Sequence, residues 1–522
     1  LCKLLQKRSE QVAFRTPGVR LSGDFGLVCR LQTTCCPLLA RVINMSEPIG
    51  LDTLEKLIRH DLDRMAYPAQ DWVVPRQESH EDDILNCAII GGGQYGLAAA
   101  FALARECVPD VRVFDSNPAG QEGPWVTFAR MDMLRTSKDM TNLDIGFPNL
   151  TFRAWYEAQF GNKAWNDLFR IPRVMWMKYL VWYREILDIP VQNDSRIEDI
   201  APVGDDLLRL TLNRSGKTET VLARSVILAT GTEGLGNRST PAQMRALPKA
   251  FWAHSNEIID MSDFAGKRVG VLGSGASAYD AAISAVDAGA ASAKICFRRA
   301  QMPTQNPRRR MENSGYLAHF PELPDAHRWA YVQHLYTIGQ GPPEPTYTKA
   351  MSYEAISLHP GTPWDAMEIT PENTVKVQSG VQTLEFDYVI AATGNFADLS
   401  ARPEFATLLK DIALWKDRYT PPADRQDARL NGYPYLGRFG EFTEKVPGTA
   451  PWLSRVFNIS RGADLSLGPL SSSSSNMKYS LPRIVKGVTR QLFLDGADAM
   501  LDEIVTQTHD ELTSDIVKKN AA

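Results

Sequence analysis

Residues 84–115 read ILNCAIIGGGQYGLAAAFALARECVPDVRVFD, and the order of residue types along this stretch decides the fold. A short apolar run predicts a buried strand, and the glycines that follow predict a tight turn. The small apolar residues from Leu97 predict a closely packed helix, and VRVFD predicts a second strand. Strand, turn, helix and strand in so short a span form a βαβ opening with parallel strands. Gly91, Gly93 and Gly96 stand at the G-x-G-x-x-G positions. Their missing side chains permit a tight turn, close approach of a diphosphate, and close packing of helix on strand, while the first N–H groups of the helix face the phosphate. Asp115, ending the second strand, is placed to accept hydrogen bonds from a ribose hydroxyl. Glycine turns also serve purely structural needs, but here strand, turn, helix, strand and acid fall in order.

Outward from this stretch the same plan returns. The first unit continues through LLRLTLNR from Leu207, a Ser215-Gly216 turn and the apolar strand SVILATG ending at Gly231. From Arg268, RVGVLGSGASAYDAAISA gives strand, glycine turn and helix. AKICFRR gives the next strand, TVKVQSGVQTLEF a hairpin, and YVIAATG closes at Gly394. Gly273 and Gly275 fill the first two glycine positions, and Ala278 the third, which the pattern accepts. Where the first unit has Asp115, the second has Phe297, Arg298 and Arg299, cations suited to forked contacts with a 2′-phosphate. That predicts NADPH rather than NADH; a solvated strand end is the plain alternative. Arg308, Arg309 and Arg310 are weaker candidates for the same phosphate.

The chain of 522 residues is too long for one core, and 44% hydrophobic with 23% charged residues is ordinary globular composition. Its formal net charge of -4 lacks the basic excess that nucleic-acid binding requires. The uncharged stretch from Cys87 to Ala104 holds four glycines and reads as strand, turn and helix rather than a membrane span. Four of the seven cysteines precede Met45, which points to a reducing compartment and a cytoplasmic location. Residues 1–44 are rich in Arg and Lys, as a transit peptide would be; upstream non-native sequence is the other reading. No histidine pair has metal-ligand spacing and no G-x-S-x-G elbow occurs, so metallohydrolases and serine hydrolases are unsupported.

These patterns predict an α/β fold of two doubly wound Rossmann-like dinucleotide-binding domains, the second inserted into the first. The expected division is an N-terminal extension to residue 83, disordered to about 45 and then a helix and linker. A first domain part follows over 84–262, the second domain over 263–395 with an insert at about 303–364, and a C-terminal part over 396–522 that completes the first domain. Trp125, Trp155, Trp165, Trp176 and Trp182 read as buried core ahead of an aromatic substrate pocket, and the serine run from Ser471 as a flexible loop capping the next helix ahead of hydroxyls presented to a ligand.

Two glycine fingerprints, each followed by an ATG strand end (Ala229 to Gly231 and Ala392 to Gly394), resemble the two-dinucleotide-binding flavoprotein superfamily. That resemblance implies FAD on the first unit and NADPH on the second, with Trp125, Thr230, Gly231, Thr393 and Gly394 among the cofactor-binding candidates. The segment GPWVTFARMDMLRTSKDMTNLDIGFPNLTFRAWYEAQFG from Gly123, then IPRVMWMKYLVWY, is similar to class B flavin monooxygenases, especially siderophore-type amino-acid N-hydroxylases. Ser137-Lys138-Asp139 resembles their Lys-Asp element beside flavin and nicotinamide, and His254-Ser255 their His-Ser pair. DYVIAATGN from Asp387 is similar to their closing motif, with Ala391 and Asn395 as departures.

The resemblance implies that NADPH reduces FAD, that O2 then reacts, and that one oxygen passes to a small nucleophilic substrate, with N-hydroxylation of an amine or amino acid foremost. Lys138 is the candidate for electrostatic support near the rings, and Gln94, just inside the glycine turn, the candidate to face the flavin. Rival readings are an S-oxygenating flavin monooxygenase, an NADPH-dependent reductase or oxidase, and a non-catalytic flavin-binding sensor. The implied partners are a small-molecule substrate and O2, with a homo-oligomer left open.

Overall fold

The computed structural model describes residues 47–65, 71–76 and 84–507. Segment 1–44, with both readings attached to it, lies outside the described residues. The elements that position the site are, in order, α1 (Leu51–Arg64), β1 (Cys87–Ile90), α2 (Gln94–Arg105), β2 (Val111–Phe114), α3 (Phe152–Asp167), α4 (Arg173–Ile186), β3 (Val191–Gln192) and β4 (Val226–Leu228). Then come β5 (Trp252–His254), β6 (Arg268–Leu272), α5 (Ala276–Asp287), β7 (Ser292–Phe297), α6 (Asp325–Ile338), β8 (Ile356–Pro360), β9 (Tyr388–Ala391), β10 (Val456–Asn458) and α7 (Met477–Asp495).

Two five-stranded sheets carry the architecture, with orders β10-β4-β1-β2-β3 and β5-β9-β6-β7-β8. Every neighbouring pair in both is parallel. The central strands are continuous apolar runs because helices cover both faces, and Cys87, Ala88, Ile89, Val269 and Val271 are buried accordingly. Registers match as well: Ile90 lies opposite Phe114 and Leu228, as Leu272 lies opposite Cys296 and Ala391. The returning strand β10 pairs with β4, so chain from beyond the second sheet completes the first.

Antiparallel pieces surround this frame. Strands Ser195–Val203, Leu207–Arg214 and Lys217–Ala223 form a meander with Ile84–Leu85 at its edge. The expected turn falls at Ser215 and Gly216, both at positive φ (51° and 84°), which suits a two-residue hairpin. The insert before β8 is helical, and α6 seats Trp329 against Trp415 of the C-terminal part, ring centroids 6.2 Å apart.

Between β2 and β3 the chain forms α3 and α4. Thr151 caps α3 by accepting from the Ala154 N–H at 3.0 Å, and Gly161 (φ 79°) breaks that helix. Trp155, Trp165, Trp176 and Trp182 are buried around Phe152 and Tyr179, as core. The serine run departs from expectation. Ser471, Ser474, Ser475 and Asn476 are buried, and the Tyr95 hydroxyl donates to the carbonyls of Ser471 (2.9 Å) and Ser473 (2.8 Å). An aromatic anchor from α2 thus supplies the order that a reading of serines as loop formers did not foresee. Among the described residues no helix is long and apolar enough to cross a membrane.

Candidate functional site

The two glycine turns are built alike. The Gly91 N–H donates to Phe114 O at 2.7 Å, and the Gly273 N–H to Cys296 O at 2.9 Å. Both have positive φ (108° and 150°), and a Cβ at either would lie 2.5 Å from Ala229 O or 2.3 Å from Ala392 O. Each turn therefore rides directly on the Ala of an Ala-Thr-Gly strand end, where only glycine fits. At the middle positions the nearest atoms to an added Cβ are 3.8 Å away for Gly93 and 3.7 Å for Gly275, so these faces stay open to a diphosphate. The turns lead into helices α2 and α5, each twelve residues long, whose first N–H groups have no partner within the helix.

Asp115 is 7% exposed, with Oδ2 accepting from the Gly92 N–H (2.7 Å) and Oδ1 from the Asn117 N–H (2.8 Å). It braces the turn while keeping lone pairs for a hydroxyl. Burial pushes its pKa up against those two amide bonds. A cavity of about 300 Å³ opens beside it, lined by Gly92, Glu122, Met177 and Arg184, with Arg184 Nη1 and Glu122 Oε1 paired at 2.9 Å. Trp125 lies nearby, its ring nitrogen 3.6 Å from a Cβ placed on Gly123 and its ring edge-on to Trp176. That nitrogen is buried with no hydrogen-bond partner. A vacant donor beside an open glycine turn fits a nucleotide cofactor there.

The larger cavity, about 770 Å³, lies at the second turn. Gly273, Gly275, Arg298, Arg299, Thr393 and Gly394 line it, as does Thr232 just after the first ATG end. A short antiparallel pair, Gly236–Arg238 with Asn395–Ala397, ties together the chains leaving the two ATG ends. Gly231 O accepts from the Arg461 N–H at 3.0 Å, and the Thr230 carbonyl from the Gly234 N–H at 3.3 Å. The Thr393 hydroxyl donates to Ser239 O. His254 is fully buried, its Nε2 donating to Gly394 O at 3.1 Å while Nδ1 accepts from the Asn256 N–H. Burial pushes its pKa down to about 4, so the ring is neutral and structural.

Three of the candidate side chains have partners that the sequence did not show. Lys138 Nζ donates to the carbonyls of Trp165 (2.5 Å) and Leu168 (2.6 Å), capping the end of α3, and it does not line the larger cavity. Unpaired carbonyls at a helix C-terminus attract a nearby ammonium, and this competes with any role at a ring. Gln94, the first residue of α2, accepts from Trp176 Nε1 at 3.2 Å. Arg308 is half-buried, unlike its two exposed neighbours, and donates to Gln340 Oε1 at 2.7 Å.

Other cavity groups carried no motif. Arg130 donates to Ser255 O and Glu257 O, both at 2.7 Å, and burial lowers its pKa to about 10. Arg135 pairs with Asp280 of α5 at 2.7 Å, joining the segment after the first turn to the second helix. Arg461 enters from the loop after β10. The signal available for it was the returning apolar strand before Ser460, which places the next residues at a carboxyl end of the first sheet. Cys87 and Cys296 are buried with their thiol pKa values pushed up, Cys296 to about 11, so neither is poised as a thiolate.

Residues 83–376 match the L-lysine 6-monooxygenase/L-ornithine 5-monooxygenase family. The FAD-dependent urate hydroxylase of Xanthomonas campestris pv. campestris is 41% identical over 460 residues, covering 87% of this chain and 95% of that protein. The fold is similar to the ornithine hydroxylase of Pseudomonas aeruginosa (TM-score 0.63, 15% identity), covering 78% of this chain and 100% of that one. It is also similar to a Kutzneria ornithine N-hydroxylase solved with reduced FAD, NADP+ and L-ornithine (TM-score 0.60, 18% identity), at the same coverage of each chain. Parallel sheets, paired glycine turns and these relatives define the class, a flavin monooxygenase, hence an oxidoreductase. Within that class, the chain belongs to the L-lysine 6-monooxygenase/L-ornithine 5-monooxygenase family.

Proposed function

We propose that the chain is an FAD- and NADPH-dependent monooxygenase, with FAD on the Gly91, Gly93, Gly96 turn and NADPH on the Gly273, Gly275, Ala278 turn. Residues 84–251 and 396–507 form the FAD domain and 252–395 the inserted NADPH domain, which starts before the expected residue 263 because Trp252–His254 pairs in the second sheet. The observation that carries this reading is the repetition of one turn geometry on two sheets that share one four-strand order, β4-β1-β2-β3 and β9-β6-β7-β8, with chain from both ATG ends lining a single cavity. Bound FAD supplies the redox chemistry, taking hydride from NADPH and activating O2, so that one oxygen enters the substrate and the other leaves as water.

The chain's own residues bind, orient and exclude water. The N–H groups at the start of α2 and α5 hold the two diphosphates, and Asp115 takes a ribose hydroxyl of FAD. Trp125 offers its vacant ring N–H to the flavin side of the site, and Gln94, steadied by Trp176, faces the ring. Arg298 and Arg299 grip the 2′-phosphate of NADPH. Lys138 acts as a positioning residue, fixing the loop after Trp125 to the end of α3.

For the substrate, the reading with most support is hydroxylation of a purine such as urate, since the urate hydroxylase relative matches over nearly its whole length. N-hydroxylation of an amine or amino acid is the second reading, favoured by the family match. The test is to reconstitute with FAD, follow NADPH oxidation with urate, L-ornithine and L-lysine in turn, and weigh the products. A gain of one oxygen on one compound, coupled to NADPH use, is expected. Failure of NADPH to bleach the bound flavin without air overturns the cofactor assignment.

A further inference from the structure

Five side chains at the cavity wall form a cluster whose charges do not balance, with Asp464 and Tyr433 buried and Arg308, Tyr336 and Arg461 half-buried. Arg461 lines the cavity, and its Nε lies 3.4 Å from Asp464 Oδ2. Asp464 is buried, with Oδ1 accepting from the Ser471 hydroxyl at 2.8 Å. Arg308 reaches the same region through Gln340, which also lines the cavity. The hydroxyls of Tyr336 and Tyr433 bond each other at 2.7 Å, and both feel the fields of Arg308 and Arg461.

Arg461 therefore pairs with Asp464 while Arg308, bonded to Gln340, stands in the same field without a carboxylate partner of its own, and the Tyr336 and Tyr433 hydroxyls lie beside them. Burial and the charge of Arg461 hold the Arg308 pKa below its ordinary value, which reports the same imbalance. The hydroxyl of Tyr316, in the field of Arg308, is buried with no hydrogen-bond partner. Two cations beside one carboxylate leave net positive charge at the cavity wall, and a positively lined cavity attracts an anion. Arg461 is the member that opens to the cavity, and its backbone leans on Gly231 at the first sheet, whereas the 2′-phosphate candidates Arg298 and Arg299 follow β7 of the second.

We infer that Arg461, backed by Arg308, is the specificity-determining residue that holds the anionic part of the oxygen acceptor. The acceptor class this selects is a planar organic anion, which urate is at neutral pH, rather than a cationic amine. This deepens the monooxygenase reading and rests on it.

The test uses FAD-loaded enzyme with NADP+ present, titrated calorimetrically with urate, with neutral hypoxanthine and with benzoate as a generic planar anion. Arg461→Gln is expected to weaken urate at least about tenfold, the loss of charge-assisted hydrogen bonds, while hypoxanthine changes little. Arg461→Lys, which keeps charge but not the fork, should lie between and serves alone, by its urate-selective weakening, if the Gln variant does not fold. Equal losses for urate and hypoxanthine, or an equal loss of NADP+ affinity, overturn the inference. Benzoate binding that depends on Arg461 without urate binding keeps the anion site and rejects urate as substrate. Wild-type enzyme that binds neither anion overturns the site itself, and NADPH bleaching of the flavin, measured separately, shows whether the cofactor reading survives.

Discussion

The first and second sheets share the order of four strands, their register and the glycine turn over an Ala-Thr-Gly end, yet their neighbouring strands finish in opposite charge. In the first, Asp115 is buried and locked onto the turn; in the second, Arg298 and Arg299 line an open cavity. The same backbone turn thus recurs, and in the proposed function the residue after the next strand decides which nucleotide is read. The third turn position differs as well. A Cβ at Gly96 would sit 1.8 Å from Gly91 O, whereas Ala278 already carries one and is fully buried. Helix α2 presses closer to its turn than α5 does.

The largest expected effect breaks this comparison at that position. Gly96→Ala should cost more than about 3 kcal/mol, because backbone must move, and should yield protein that retains no flavin. The matching Ala278→Gly should cost only about 1 kcal/mol, the helix-propensity difference, and leave FAD bound. Urea unfolding and the flavin absorbance of purified variants measure both. Similar losses at the two positions would show that the turns are not packed as differently as the distances say.

The strand beyond each ATG strand sharpens the contrast next. In the first sheet β10 ends in Asn458 opposite Leu228; in the second, β5 ends in His254 opposite Ala391. The His254 pKa is pushed down to about 4 from its ordinary 6.5, so the unfolded chain binds a proton there that the folded protein refuses. The sign follows: this contribution is full above about pH 6.5 and is lost as pH falls toward 4, by up to about 3 kcal/mol. His254→Gln should show a flatter fall in unfolding free energy between pH 7 and 5. An unchanged slope would mean that the burial of His254 does not govern acid sensitivity.

A smaller effect is expected where the charge contrast is sharpest. Replacing both Arg298 and Arg299 by Ala should weaken NADPH about tenfold to a hundredfold while changing NADH little, the loss of charge-assisted bonds to one phosphate. Steady-state KM values for the two nucleotides measure it. Equal losses would assign these arginines to the shared part of the dinucleotide.

Legibility in the sequence followed the range of the forces involved. Strands, glycine turns and the Ser215-Gly216 hairpin are set by residues near one another, and each falls where the pattern puts it. The same holds for the tryptophan core, whose apolar spacing is local. What escaped depends on contacts far apart in the chain. Tyr95 orders the serine run across 376 residues to Ser471, and Arg461 comes within the field of Arg308 only because β10 returns to the first sheet. No spacing rule couples such positions.

Lys138 shows the same limit and gives the smallest effect. The Lys-Asp pair predicts a cation at the rings, yet two carbonyls at the end of α3 take its ammonium, which also lies 4.6 Å from the Trp165 ring centre. The first unit's cation is thereby spent on a helix end, unlike the arginines of the second unit that line the cavity. Lys138→Met keeps the stem over Trp165 and removes the two bonds and the charge over the ring, so it should cost about 1–2 kcal/mol of stability and leave flavin reduction by NADPH within about threefold. If Lys138 instead leaves the helix end to meet the rings during turnover, the outcome reverses, with an unmoved unfolding midpoint and reduction slowed at least about tenfold. Stopped-flow reduction and urea unfolding of one variant separate the two. The reversed result would restore a cation to the first unit's share of the site and erase part of the difference between the two sheets.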